Sequence, residues 1–157
     1  MNTFTSNMTT HGNSAILELK GPLNEHAKLP EIKATSMLTI KLHSVTQLNS
    51  LGVREWCGWI KNLPDSLQIS LEGCPLMFVK SFSLIKGVLT PNTTVMSMYV
   101  PFYSKKSREE TDVLLQQGKH YSNKGILSLP EVKDSAGNPM ELDSIAKKYL
   151  AFLFDPK

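Results

Sequence analysis

The stretch Val45-Thr-Gln-Leu-Asn49-Ser50-Leu-Gly52-Val53-Arg-Glu-Trp56-Cys-Gly-Trp59-Ile60 marks the end of a strand and the start of a helix. Asn49 or Ser50 can cap the first free backbone N–H groups of that helix. Apolar residues recur at i, i+3, i+4 and i+7, and they are Val53, Trp56, Cys57 and Ile60. We therefore expect an amphipathic helix over about residues 51–62, with a serine hydroxyl at its positive end, where an anion is favoured.

Length and composition predict one soluble domain. The chain has 157 residues, of which 41% are hydrophobic and 20% charged, and a net charge of +3. That charge is small and scattered, which argues against nucleic acid, and no apolar run approaches the roughly 18–20 residues of a membrane span. Residues 1–13 are rich in Thr, Asn and Ser and lack the basic start and apolar core of a secretory signal. We predict that they form a flexible tail and that the protein is cytoplasmic.

The sequence carries no recognisable catalytic or metal motif. It has no P-loop, no G-x-S-x-G, no H-E-x-x-H and no dinucleotide fingerprint. Its four histidines have no metal-ligand spacing, and Cys57 and Cys74 lie in apolar settings typical of buried free thiols. We therefore predict a protein that is not an enzyme and that binds no cofactor or metal.

The order of predicted elements indicates an α/β fold. Alternation of apolar and polar residues predicts strands over residues 14–20, 36–42, 67–71 and 93–103. A second helix starts after Pro75 and ends near Gly87. The sequence strand, strand, helix, strand, helix, strand favours a partly parallel sheet.

The last third of the chain follows a different pattern. Ser107-Arg-Glu-Glu110 is a capping box that predicts a helix to about Gln117. Residues 127–132 and 139–142 are expected to pair as a hairpin around residues 134–138. Asp143 then caps a final helix.

Ser50 has two interpretations. In the first it is a plain helix cap, which contributes on the order of 1 kcal/mol. In the second it is a phosphoacceptor, because phosphorylation would add nearly two negative charges at the positive end of the helix. Local chemistry alone favours the cap, because serine caps are common.

Three short segments resemble a known family: Gly21-Pro-Leu23, Asn49-Ser50-Leu-Gly52-Val53 and Gly73-Cys74-Pro75. They are similar to a STAS domain of the type found in anti-sigma-factor antagonists, whose usual turn is Asp-Ser-Ser-Gly-Leu. Asn49 stands at the position of the Asp and Ser50 at that of the phosphorylated serine. The resemblance covers residues 14–103. It implies a mixed sheet of four to five strands flanked by helices, and a switch in which the unphosphorylated serine permits partner binding.

Residues 104–157 resemble a zinc ribbon that has lost its cysteines. Pro101-Phe-Tyr103-Ser104-Lys-Lys-Ser107 and Val132-Lys-Asp-Ser135-Ala-Gly137 keep the framework of two zinc knuckles. Hydroxyls and a valine do not replace thiolates as zinc ligands. The resemblance therefore implies a metal-free C-terminal extension, with Ser107 as a helix cap and the last helix docked on the main domain.

The resemblance implies a non-catalytic regulatory module that binds an anti-sigma factor or a kinase-like protein. Asn49 and Ser50 would form the switch turn, and Gly52 would allow a partner backbone to approach closely. Arg54 and Glu55 would supply polar contacts.

Two other functions stay open at this point. The helix start beside Ser50 could hold the phosphate of a nucleotide or another small ligand. The chain could also be a structural or oligomer component that uses the apolar strand at Met96–Phe102 as a sheet edge.

Overall fold

The computed structural model describes residues 3–33 and 35–153, and its first layer is a mixed five-stranded sheet. The strands lie in the order β1-β2-β3-β4-β5; β1 is antiparallel to β2, and the remaining neighbours are parallel. Their bounds are β1 Thr5–His11, β2 Ser14–Leu23, β3 Met37–Leu48, β4 Gln68–Glu72 and β5 Thr93–Val95. The α/β class predicted from the element order is confirmed.

Two helices join the parallel strands and share a core with one face of the sheet. Helix α1 (Ser50–Lys61) connects β3 to β4, and α2 (Leu76–Leu84) connects β4 to β5. Alternation along β3 buries Leu38, Ile40 and Leu42, whose exposed fraction is at most 1%. The helices contribute aromatic rings to the same core, as the edge-to-face contact of Trp56 with Phe78 at 5.2 Å illustrates.

The prediction of a flexible tail over residues 1–13 is wrong for most of that segment. Thr5–His11 form β1, which pairs with β2 along its whole length, from Thr5 opposite Lys20 to His11 opposite Ser14. The backbone hydrogen bonds of this hairpin do not depend on side-chain polarity. The polar composition hid the strand because most β1 side chains are exposed.

The predicted strand over residues 93–103 divides at Met96 and leads into a second sheet. That sheet is antiparallel in the order β10-β11-β6-β7. The later strands are β6 Ser97–Tyr103, β7 Glu110–Gln116, β8 Tyr121–Ser122, β9 Gly125–Ile126, β10 Val132–Lys133 and β11 Pro139–Leu142. Strands β8 and β9 form a separate two-stranded hairpin.

The helix predicted from Ser107 to Gln117 is replaced by strand β7. Every residue of β7 pairs with β6, and alternate residues Val113 and Leu115 turn toward the core. A capping box is a local signal, and here the long-range pairing outweighs it. The same pairing places β6 between β11 and β7, so Met96–Phe102 does not form the exposed sheet edge considered above.

The last α-helix of the described residues packs on α2. Asp143 caps α3 (Ser144–Tyr149) by accepting a hydrogen bond from Ile145 N at 2.8 Å, as the sequence predicts. A short 3₁₀ helix, Leu150–Leu153, follows and brings Phe152 against Phe82, with ring centroids 5.2 Å apart. The predicted hairpin around residues 134–138 is present as β10 and β11, but its first strand covers only Val132–Lys133 and not residues 127–132.

Candidate functional site

Asn49 is the residue that caps α1. Its backbone is extended, its Oδ1 accepts a hydrogen bond from Gly52 N at 2.8 Å, and its carbonyl accepts from Val53 N at 2.9 Å. The side-chain bond satisfies one of the N–H groups that a helix start otherwise leaves free, and the bond to the carbonyl is the first intrahelical bond of α1. Of the two cap candidates, Asn49 takes the role, and Ser50 is left as the first residue of the helix.

Ser50 presents a free hydroxyl at this helix start. The residue is exposed, and within the described residues its side chain has no hydrogen-bond partner in the protein. The first turn of α1 contains no acidic residue, so nothing on the helix itself neutralises its positive end. The hydroxyl is thus accessible and lies where negative charge is favoured.

Glu25 is a member of the site that the sequence pattern did not reveal. The Asn49 side chain donates from Nδ2 to Glu25 Oε2 at 3.1 Å, which ties the turn after β2 to the start of α1. Hydrogen bonds from the Glu25 backbone N–H and from Asn49 hold the pKa of this carboxyl below its ordinary value. Glu25 is far from Asn49 in sequence, and the contact depends on the parallel pairing of β2 with β3.

Gly52 is buried within the protein and is not exposed to a partner protein. A Cβ at this position would lie 1.8 Å from the Leu23 carbonyl oxygen and 3.1 Å from Asn24 N. Only a residue without a side chain allows the first turn of α1 to cross the end of β2 at this distance. The close backbone approach expected from a partner is therefore made by the protein's own chain, and Gly52 positions the site from beneath.

The outer face of α1 is available for contact. Arg54 and Glu55 are exposed, as the sequence predicts. Leu51 beside them is 45% exposed, which places an apolar side chain next to the free hydroxyl. We refer to Asn49, Ser50, Leu51, Arg54 and Glu55 as the Ser50 surface.

The opposite face of α1 packs into the core and holds the Ser50 surface in place. Trp56 is fully buried and donates from Nε1 to the Val88 carbonyl at 2.9 Å. Trp59 is half-buried and donates to the Pro30 carbonyl at 2.7 Å. Both indoles are packed, as the sequence favours, and each N–H is satisfied.

A second polar cluster joins the loop after β6 to the turn between β10 and β11. Asp134 Oδ2 accepts hydrogen bonds from Ser104 Oγ and Ser107 Oγ, both at 2.6 Å. A second set of hydrogen bonds joins the same two segments with the carboxylate on the opposite one. The Glu109 carboxylate accepts from the backbone N–H and the hydroxyl of Ser135. We call these five residues the carboxylate clasp. The Ser104 and Ser107 hydroxyls donate to a carboxylate, so Ser107 is a clasp residue and not the helix cap that was expected.

The hydrogen bonds of the clasp favour the ionised form of the Asp134 carboxylate. Asp134 is buried, and hydrogen bonds from Ser104, Ser107 and Asn138 hold the pKa of its carboxyl far below the ordinary value. Each hydroxyl and N–H that points at it favours the charged form. The arrangement closes the loop after β6 onto the turn between β10 and β11.

Other kinds of site are not evident in the part of the chain that the structure describes. Residues 3–33 and 35–153 contain no cluster of three or more His, Cys, Asp or Glu side chains able to hold a metal ion. None of the helices in these residues is long and apolar enough to cross a membrane. Cys57 and Cys74 are free thiols, and burial raises the pKa of both, most strongly at Cys74.

Comparison with known proteins identifies no family. The sequence matches no protein-family model and no curated protein sequence. The geometry of the Ser50 surface and the short sequence motifs are therefore the features that bear on function.

Proposed function

We propose that this protein is a non-catalytic, STAS-like regulatory module of the cytoplasm that binds a partner protein through the Ser50 surface. The observation that carries the proposal is the free, exposed Ser50 hydroxyl at the first position of a rigidly held helix. The turn at Asn49-Ser50 and the parallel strand–helix–strand order around it support the likeness to STAS domains. A partner of the anti-sigma-factor or kinase type is the class that this likeness implies.

Phosphorylation of Ser50 would act as the switch. A phosphate adds nearly two negative charges, and the N-terminal end of α1 tolerates them because its dipole and free N–H groups favour an anion. The Glu25 carboxylate, held by the neighbouring Asn49, would be repelled by this charge. A partner packed over the site would meet the cost of removing water from a phosphate.

The shape of the surface fits a protein partner. Leu51 supplies an exposed apolar centre, while Arg54 and Glu55 offer a charge of each sign one helical turn away. Because both signs are present, the partner surface would also be mixed in charge.

Affinity capture from the cell that makes the protein tests this function. The wild-type chain, Ser50→Ala and Ser50→Asp are used as baits, and captured proteins are quantified by mass spectrometry. We expect a partner that is retained by wild type and by Ser50→Ala and lost with Ser50→Asp.

Ser66→Asp is the matched control, because Ser66 is an exposed serine beyond the opposite end of α1. It introduces the same charge away from the Ser50 surface and should retain the partner. A partner captured equally by Ser50→Asp and Ser66→Asp would contradict the switch. A partner whose capture is unaffected by Leu51→Ala or Arg54→Ala would contradict the location of the site.

A further inference from the structure

Strand β1 is an open edge of the five-stranded sheet. It pairs with β2 on one side, and no other strand of the described residues lies on its other side. Most of its side chains are exposed. One row of backbone N–H and C=O groups therefore has no strand partner among the described residues, which is the arrangement that accepts another strand.

The hairpin turn determines which backbone groups point outward. His11 and Ser14 close a two-residue turn in which Gly12 has a φ of 59°, a conformation that suits glycine. The closing pair of such a turn exchanges both of its hydrogen bonds, and hydrogen-bonded pairs then alternate along the hairpin. The N–H and C=O groups of Thr5, Asn7, Thr9 and His11 consequently face β2, and those of Ser6, Met8 and Thr10 face outward.

This edge lacks the features that protect most edge strands. The β1 sequence, Thr5-Ser-Asn-Met-Thr-Thr-His11, contains no Lys, Arg, Asp, Glu or Pro. It is regular over seven residues, and its pairing with β2 shows no bulge. Natural edges usually carry a charge, a proline or a bulge to prevent strand addition.

We propose that β1 pairs with β1 of a second copy of this chain, antiparallel, about a two-fold axis at Met8. In this register Met8 faces Met8, Ser6 faces Thr10, and Asn7 faces Thr9 of the other copy. All three outward-facing residues then become hydrogen-bonded, and a shift by one residue along each strand would leave some of them unpaired. A second copy fits better than a charged peptide because every cross-strand pair is uncharged and the edge is complementary to itself.

Such a dimer would leave the Ser50 surface free. Residue Thr5, at the start of β1, pairs near the end of β2 at which Asn49 and Ser50 lie. Because the two β1 strands run antiparallel, the two Ser50 surfaces would lie toward opposite ends of a continuous ten-stranded sheet. The inference does not depend on the proposed switch, and either can fail without the other.

Sedimentation of the full chain over a range of protein concentrations tests the pairing. We expect wild type to approach twice the monomer mass as concentration rises. Ser6→Lys combined with Thr10→Lys would place lysines opposite each other twice, and it should remain monomeric. Ser6→Lys combined with Thr10→Glu has the same sites changed but places opposite charges together, and it should dimerise.

Circular dichroism and thermal unfolding of each variant show whether it is folded. Wild type that stays monomeric at all concentrations would overturn the proposal, even if it binds an unrelated extended peptide along β1. A lysine–lysine variant that dimerises as well as wild type would overturn it too, and loss of the dimer in both variants would overturn the register.

Amide hydrogen exchange of wild type gives a readout that needs no variant. The amides of Ser6, Met8 and Thr10 should exchange more slowly as protein concentration rises, since they are hydrogen-bonded in the dimer. The amides of Asn7 and Thr9 already face β2 and provide the internal reference. Exchange at Ser6, Met8 and Thr10 that is independent of concentration would contradict the pairing.

Discussion

Asn49 joins three parts of the protein through one side chain and one carbonyl. Its Oδ1 and carbonyl oxygen begin α1, and its Nδ2 holds Glu25 beyond the end of β2. The presence of a helix cap was predictable, because a polar pair before an amphipathic run is a local signal. The sequence did not show which of Asn49 and Ser50 is the cap. That depends on which residue is the first to have helical backbone angles.

Asn49→Ala should reduce the free energy of unfolding by about 1 kcal/mol, since it removes the cap acceptor and leaves Gly52 N unsatisfied. Urea unfolding followed by Trp fluorescence measures the change. Asn49→Ser keeps a cap acceptor but cannot reach Glu25 in the same way, and it should recover most of the lost stability. Equal losses of stability for Asn49→Ala and Asn49→Ser would show that the hydrogen bond from Gly52 N to the cap side chain contributes little.

Gly52 and Gly58 make a matched pair within one helix. A methyl group at Gly52 meets Leu23 backbone at 1.8 Å, whereas one at Gly58 meets nothing within 4 Å. Gly52→Ala should destabilise the fold by about 2 kcal/mol or more through overpacking, and Gly58→Ala should stabilise it by about 0.5–1 kcal/mol through helix propensity. Chemical denaturation of both variants checks the prediction, and a neutral Gly52→Ala would contradict the close approach.

At the scale of elements, prediction succeeded where the apolar pattern is periodic and failed where the local side-chain pattern does not match the strand that forms. The strands β2 to β4 and the helices α1 and α2 follow clear periodicities, and all were predicted. Strand β7 was misread as a helix because its capping box is a local feature, and its true partner, β6, precedes it across a loop. Strand β1 was missed because an edge strand with two polar faces has no apolar alternation.

The carboxylate clasp is an element-scale feature with a defined pH dependence. The folded-state pKa of Asp134 lies below its value in the unfolded chain, about 3.9. Its contribution to stability is therefore present above about pH 4 and is lost as the pH falls toward the folded-state pKa. Asp134→Asn removes the titrating group while keeping the side-chain size.

Asp134→Asn should be less stable than wild type near neutral pH, and the difference should narrow as the pH falls below about 4. Thermal unfolding across this range measures it. Asp112→Asn, at an exposed carboxylate on β7, is the control and should differ little from wild type at any pH. A difference for Asp134→Asn that is constant with pH would show that the charge of the clasp does not matter.

At the scale of the whole molecule, the C-terminal segment packs on the helical layer. Phe152 lies against Phe82, and Ser83 Oγ donates to the Tyr149 carbonyl at 2.7 Å. The sequence predicted a last helix with an apolar side, although the identity of its neighbour, α2, comes from the structure. The face that α3 covers is continuous with the core of the first sheet.

Phe152→Ala should reduce the free energy of unfolding by about 3 kcal/mol, because it removes a buried ring from this contact. Ile145→Ala on α3 is the control, since Ile145 is 63% exposed and its loss should change stability by less than about 0.5 kcal/mol. Calorimetry of both variants measures the change. Similar melting temperatures for Phe152→Ala and wild type would contradict the docking of the segment.

The most direct test of the proposed switch is the phosphorylation state of Ser50 in the native protein. The chain is isolated from its own cells as two pools, one bound to its partner and one free, and phosphopeptides from each are quantified by mass spectrometry. We expect phosphate on Ser50 in the free pool and its near absence in the bound pool. Equal occupancy in the two pools, or a Ser50 that is never phosphorylated under conditions in which the partner is released, would contradict the switch.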